Sequence, residues 1–224
     1  MTVDENKSKD DAPMSLPAML KNYRSPLLRF VIKVFIWLPL MFALWYLTTP
    51  ILAAPVKWLT QWLTQAAFGD LVQQVTFAPP VLEFVTSLRS GELSAGAVTS
   101  GFISVEVNAL LYSFGLPMYA ALILAAGGKG MWRRLLVGYL VMLPFIVWGV
   151  TADFLKNITF SAGAFVASQA GFSSLQREFI AFAYQFGALI LPTVIPAMTW
   201  VLTHRRFLEC LRGEMNAIDG VKKS

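Results

Sequence analysis

Cys210 is the only thiol in the sequence and His204 the only imidazole, and both stand in His204-Arg-Arg-Phe-Leu-Glu-Cys210. A thiolate nucleophile needs an activating base within hydrogen-bond reach. Helix neighbours lie three or four residues apart, so two residues six apart point to different faces. The pair therefore reads as a free thiol and a cation-like flank. A lone cysteine excludes an intramolecular disulfide framework and a cysteine-based zinc site. There is no HExxH, no Gly-rich phosphate loop and no aspartate dyad, and no cofactor is implied. Serines far from His204 have only Lys57 or Lys156 as bases, with no signature around either. For Glu106, Asp153 or Glu178 to act as acid or base, they would have to converge on an accessible pocket.

A richer polar set consists of Glu106, Asn108, Tyr112, Asp153, Lys156, Gln176, Arg177 and Glu178, with Gln185 just inside the last apolar run. These residues matter only if the elements carrying them end in one plane. The chain has 224 residues and is 56% hydrophobic and 14% charged. A soluble domain is roughly 45–50% apolar and about 25% charged, and the mean hydropathy here is +0.60. Four apolar runs are candidate spans: Val34 to Ala54, Ala109 to Ala126, Leu135 to Ala152 and Ile180 to Leu202. The first, at about 1.5 Å per residue, reaches about 32 Å, enough for a hydrocarbon core of roughly 30 Å. It also follows basic residues and ends in Leu-Ala-Ala-Pro, as a signal peptide does. Its length and its Phe35-Ile-Trp-Leu and Trp45-Tyr46 aromatics suit a retained anchor instead.

Basic residues favour the cytoplasmic ends of spans. With the N-terminus inside, only Lys57, Arg89, Lys156 and Arg177 of the 18 Lys and Arg fall outside. Both termini are thus expected in the cytoplasm, and the polar set gathers at the outer boundary. There Asp153 and Arg177 read as an ion pair, and Asn108 as a partner for backbone groups at a strand-to-helix turn. The set either locks the spans to an outer segment or docks a ligand. The formal net charge of +5 is explained by anionic lipid at the basic flanks, without nucleic acid.

Residues Met1 to Asp11 read as disordered, and Leu16 to Leu28 as a short surface helix. Beyond Pro55, Trp58, Leu59, Trp62 and Leu63 oppose Thr60, Gln61, Thr64 and Gln65, which predicts a helix lying flat in the interface on its Trp face. Three strands follow. Leu71, Val75 and Phe77 alternate with Val72, Gln74 and Thr76. Leu82, Phe84, Thr86 and Leu88 alternate with Val81, Glu83, Val85 and Ser87. After the Gly/Ser-rich link Ser90 to Ala97, Ile103, Val105 and Val107 oppose Phe102, Ser104, Glu106 and Asn108. Later, Gly163 and Gly171 bracket a short helix, and Asn157-Ile158-Thr159 fits a glycosylation acceptor pattern that is short and common.

Three blocks carry a resemblance: "LRFVIKVFIWLPLMFALWYLTTPILAAPVKWL", "VEVNALLYSFGLPMYAALILA" and "GFSSLQREFIAFAYQFGALILPTVIPAMTWVLTHRRFLE". From about Leu28 to Glu209 the chain resembles the exosortase H-associated membrane protein family of Gram-negative bacteria, departing at Asn108-Ala109, where the family pattern has Asn-Pro. The resemblance implies a place beside an exosortase, a polytopic transpeptidase-like enzyme acting on proteins with C-terminal sorting signals. Exosortases need Cys, Arg and His on the outer face, so this chain is not the enzyme.

The expected fold is an integral membrane, mainly α-helical protein with four transmembrane helices and a small periplasmic antiparallel β-meander between the first and second. Residues 1–29 form a cytoplasmic segment, 30–54 the first span and 55–108 the interfacial helix and meander. Then come a span at 109–126, a cytoplasmic loop at 127–134, a span at 135–152, a periplasmic segment at 153–178, the last span at 179–203 and a cytoplasmic tail at 204–224. The expected role is a non-catalytic inner-membrane accessory protein that binds an exosortase-type enzyme or its tail-bearing substrates, besides membrane lipids. A small transporter or lipid-handling protein is the alternative, and would show a polar cavity reaching mid-membrane.

Overall fold

The structure is a computed structural model and describes residues 26–69, 71–89, 93–94, 97–98, 102–205 and 209. The Met1 to Asp11 stretch, most of the Leu16 to Leu28 helix, most of the Gly/Ser-rich link and Cys210 lie outside the described residues. Helix α1 is Pro26–Phe68, followed by strands β1 (Val72–Ala78), β2 (Val81–Arg89), β3 (Leu93–Ser94), β4 (Ala97–Val98) and β5 (Phe102–Asn108). Then come α2 (Leu110–Ser113), α3 (Gly115–Ala126), α4 (Met131–Lys156), a π-helical stretch Asn157–Ser161, α5 (Ala164–Ala170), α6 (Ser174–Gln185), a second π stretch Phe186–Ile190 and α7 (Leu191–Thr203).

Leu27–Phe68, Met131–Ser161 and Ser174–Thr203 are helices long and apolar enough to cross a membrane, and Leu110–Ala126 is apolar but shorter. The first corrects the sequence reading. No break follows Pro55: α1 runs through Pro39, Pro50 and Pro55. Proline removes one backbone donor and loosens a turn, and packing holds the turns together here. α1 lies against α3 along one stretch and against β1 near its end. On the turn that Pro55 loosens, the Tyr139 hydroxyl donates to the Leu52 carbonyl at 2.9 Å.

Beyond Pro55 the tryptophans of α1 face outward, as a helix lying in the interface on its Trp face requires, while Leu59 and Leu63 turn toward the core. Thr60 and Thr64 are fully buried, whereas Trp58 and Trp62 are 69% and 63% exposed. Small β-branched side chains let the helix approach the sheet closely, and Thr64 Oγ1 donates to the Thr60 carbonyl of the same helix at 2.8 Å. Gln65 Nε2 reaches the Gln73 carbonyl of β1 at 3.1 Å. The indoles are left facing outward, as amphipathic rings at a membrane surface are.

The three-stranded sheet is antiparallel in the order β1-β2-β5, and β3 pairs with β4 as a small antiparallel hairpin. In β2, Leu82, Phe84, Thr86 and Leu88 are buried, and in β5 Val105 and Val107, as their period of two requires. In β1 the period fails. A register shift between Val72 and Gln74 puts both Val72 and Val75 on the inner face, with Gln73 and Gln74 exposed. The covered face packs on the ends of α1 and α4 and on α5. Phe84 stacks on Phe154 of α4 with ring centroids 4.3 Å apart. Gln169 of α5 takes the Arg89 N–H at 3.2 Å and gives its own Nε2 proton to the Arg89 carbonyl at 2.9 Å.

The strand-to-helix junction is tied at each step. Asn108 Oδ1 accepts the Leu110 N–H at 3.0 Å, and the Ala109 N–H donates to the Pro80 carbonyl at 3.2 Å. The helices close on each other through glycines. Gly115 faces the Pro192 carbonyl and the Pro196 ring, Gly138 the Tyr119 ring, Gly149 the Tyr112 ring, and Gly187 the Gly149 backbone. Without a hydrophobic drive between helices in lipid, such small-residue contacts supply the packing. Pro192 accounts for the second π stretch, since it cannot donate to Ala188 and its ring pushes on that carbonyl.

Candidate functional site

A polar seam joins the sheet end of the helices. Asp153, on the last turn of α4, is only 7% exposed. Lys156, one turn on, ion-pairs with it at 3.3 Å, and the same carboxylate oxygen accepts from Asn157 Nδ2 at 3.2 Å. Lys156 Nζ also donates to Asn157 Oδ1 at 3.1 Å, which closes the triangle, and lies over the Tyr184 ring at 4.7 Å. Buried Tyr112 sits against the carboxylate and interacts with it through its hydroxyl. Four elements meet here: α2, α4, the π stretch after it, and α6.

The expected Asp153–Arg177 pair is not formed. The i, i+3 neighbour on the same helix reaches the carboxylate first, and the Arg177 guanidinium lies over the Phe160 ring at 5.6 Å. The other expected members are dispersed. Glu106 is exposed on β5, opposite Glu83, whose carboxylate takes the Thr76 hydroxyl at 3.2 Å. Asn108 is spent on the junction. Gln176 closes a capping box with Ser173 at the start of α6. Glu178 and Gln185 are exposed on α6. Asn157 and Tyr184 belong to the seam; from sequence, Asn157 was read only within a glycosylation pattern and Tyr184 was not placed at the boundary. The Asp153, Lys156 and Asn157 spacing was the available signal, whereas nothing local marks Tyr184.

The seam's polar groups satisfy one another, and the cavity beside Tyr112 measures about 10 Å³, room for one water. Among the described residues, no three His, Cys, Asp or Glu side chains come together to hold a metal. A wide groove of about 680 Å³ lies between Phe68, Leu155 and the first turns of α6, and its lining is mostly apolar.

A second polar knot sits at the opposite end, and it corrects the reading of His204 as a cation-like flank. His204 is 4% exposed, stacked on Trp200 with centroids 5.6 Å apart. Its Nε2 lies 3.0 Å from Arg134 Nη1. A guanidinium only donates, so Nε2 must accept and the ring is neutral. The proton then sits on Nδ1, which faces the Trp200 carbonyl at 3.2 Å and Thr203 Oγ1 at 3.0 Å.

Burial first, and then the charge of Arg134, push His204 below its ordinary value of 6.5. Between the lowered value and 6.5 the unfolded chain binds the proton more readily than the folded one, so stability is full above that window and falls as pH drops through it. Thermal unfolding in mild detergent is therefore expected at lower temperature at pH 5 than at pH 7.5, with a flatter dependence in His204→Gln. Equal slopes for the two proteins would remove His204 as the cause.

Membrane-length apolar helices, a small sheet fused to them without linkers, and a closed polar seam between the two are the features of an integral membrane protein with a small sheet at one end of its helices. The chain belongs to the exosortase H-associated membrane protein family, which it matches over residues 24–207. The family is described as an associated membrane protein and not as a catalyst. Comparison with curated proteins and with solved structures gives no match.

Proposed function

We propose that the chain is a non-catalytic accessory protein of an exosortase-type sorting system in the bacterial inner membrane. It crosses four times, with Leu110–Ala126 as the short span, both termini cytoplasmic and the sheet in the periplasm. Its partner is the exosortase-type enzyme or the tail-bearing substrate of that enzyme, and its docking element is the outer edge of β5.

The single observation that carries the docking element is that, among the described residues, β5 has a strand on one side only. The Ala109 to Pro80 bond sets the alternation of the β2–β5 ladder. It leaves the N–H and C=O groups of Ser104, Glu106 and Asn108 pointing away from β2. An extended chain adds to such an edge by backbone hydrogen bonds, with side-chain pockets giving selectivity.

Proline in place of Glu106 deletes one outward N–H and leaves the ladder to β2 intact, because proline is tolerated at edge positions. Recovery of exosortase or tail-bearing substrate with the full-length protein in mild detergent should drop about tenfold in Glu106→Pro, the effect of roughly one lost hydrogen bond. If neither is recovered with the unaltered protein, the partner assignment fails. If both are recovered equally with the proline variant, the edge is not the docking element.

A further inference from the structure

The end of the molecule that holds His204 gathers cations. Arg29 and Lys33 lie within one turn of Phe30, which stacks on Trp200 and through it on His204. Lys129 precedes α4, Arg133 and Arg134 stand in its first turn, and Arg205 follows His204. Glu209 is the one carboxylate there among the described residues, and it forms no ion pair among them. Arg134 differs from the other cations, which are exposed: it is half-buried between α4 and α7, with Nη1 fixed 3.0 Å from His204 Nε2. The Tyr119 hydroxyl of α3 donates to the Arg134 carbonyl at 3.0 Å and holds the backbone that carries the side chain. His204 takes one guanidinium N–H, and the rest have no acceptor among the described residues. A neutral imidazole orients the guanidinium without neutralising it, which leaves a preset fork short of an anion. The approach is open. A Cβ built at Gly128 would lie 3.7 Å from Nη1, and Cβ atoms at Gly127 and Gly130 would meet nothing within 4 Å.

We infer that Arg134, oriented by His204, binds the phosphate of one anionic phospholipid, of the phosphatidylglycerol type. Paired N–H···O bonds from the free edge of the fork meet two phosphate oxygens, a geometry that suits arginine and not lysine. Basic pockets between membrane helices take such headgroups. The level fits a lipid, because Arg134 opens a helix long enough to cross a membrane. Trp132 beside it is 78% exposed, as an indole in the headgroup layer is. Leu136 and Leu140, exposed on the same face one and two turns further on, offer the chains an apolar surface. A zwitterionic headgroup brings its own ammonium against these cations, so the site selects by net charge. Diffuse attraction to the basic flanks would treat Arg133 and Arg134 alike, and a held fork does not. The inference needs no protein partner and holds for either orientation of the chain.

The test reconstitutes the full-length protein into vesicles of equimolar phosphatidylglycerol and phosphatidylethanolamine, extracts it in mild detergent and counts retained lipid by native mass spectrometry. One phosphatidylglycerol per chain is expected, in excess over phosphatidylethanolamine. Arg134→Gln should lower that excess about tenfold, as loss of a charge-assisted pair does. Arg133→Gln removes the same charge one residue away and should lower it only about twofold, as an exposed charge does. Arg134→Lys keeps the charge, loses the fork and should fall nearly as far as Arg134→Gln, and it carries the test should the glutamine variant not fold. His204→Phe keeps every charge and the ring stack, removes the acceptor and should lower the excess about threefold. Retention in the ratio of the vesicle mixture overturns the inference, as do equal losses in Arg133→Gln and Arg134→Gln or an unchanged excess in Arg134→Lys. No change in His204→Phe overturns the orienting role of His204. Displacement of the lipid by millimolar inorganic phosphate would assign the fork to a free anion and overturn the lipid assignment.

Discussion

Alanine at Gly115 is expected to abolish stable packing of α3 on α7. A Cβ there would fall inside van der Waals contact of both the Pro192 carbonyl oxygen and the Pro196 ring. Neither can step aside, because one is backbone and the other a ring closed on its own backbone. Overpacking in a core costs about 1–3 kcal/mol and occasionally more, and a rigid wall puts Gly115→Ala at the top of that range. Gly187→Ala is the control. Its Cβ would lie 3.1 Å from the Gly149 Cα, a contact that a few tenths of an ångström relieve. Accumulation in membranes and melting in detergent should rank wild type above Gly187→Ala and Gly187→Ala above Gly115→Ala. A Gly115→Ala protein that melts with the wild type would mean that the α3–α7 contact is looser than described.

The second large effect is expected at Lys156. Methionine keeps most of the side chain's apolar length and removes its charge, which leaves the Asp153 carboxylate with Asn157 and Tyr112 alone in a site 7% exposed. Breaking a buried pair from one side costs about 3–5 kcal/mol. The remaining Asn157 donor and the partly exposed Lys156 place this variant near the lower figure. The double variant Asp153→Asn/Lys156→Met has no stranded charge and should regain most of the loss, a coupling that a double-mutant cycle reads directly. Additive losses would show that Lys156 contributes only by packing over Tyr184.

Strand signals were legible in the sequence wherever one face of the sheet is covered, as at Leu82, Phe84, Thr86 and Leu88. They failed at Val72, where a bulge inserts one residue and no side chain announces it. The helix beyond Pro55 was legible, and so were its outward tryptophans, but the burial of Thr60 and Thr64 was not. Hydrophobicity ranks tryptophan above threonine, whereas close approach to a sheet favours the smaller side chain. Proline suggested a break in α1 because the local cost is visible in sequence, while the α3 and β1 surfaces that offset it are not. At the seam, Asp153 was legible as a boundary residue, yet its partner was decided by helical geometry within α4 and not by proximity across the boundary. His204 was misread because the aromatic stack that buries it starts far away in sequence, with Phe30 on Trp200.

The sheet is entered from α1 through a short turn after Phe68 and left into α2 through Ala109 alone. Two tethers this short fix the height of β5 above the lipid. For a polypeptide docking on β5 as proposed, that height would act as a ruler. An extended chain advances about 3.3 Å per residue, so only a segment spaced by the right number of residues from its membrane exit lies alongside the edge. Selection would then depend on the length of a substrate's juxtamembrane stretch as much as on its side chains, and inserting or deleting two residues there would shift which residues are presented.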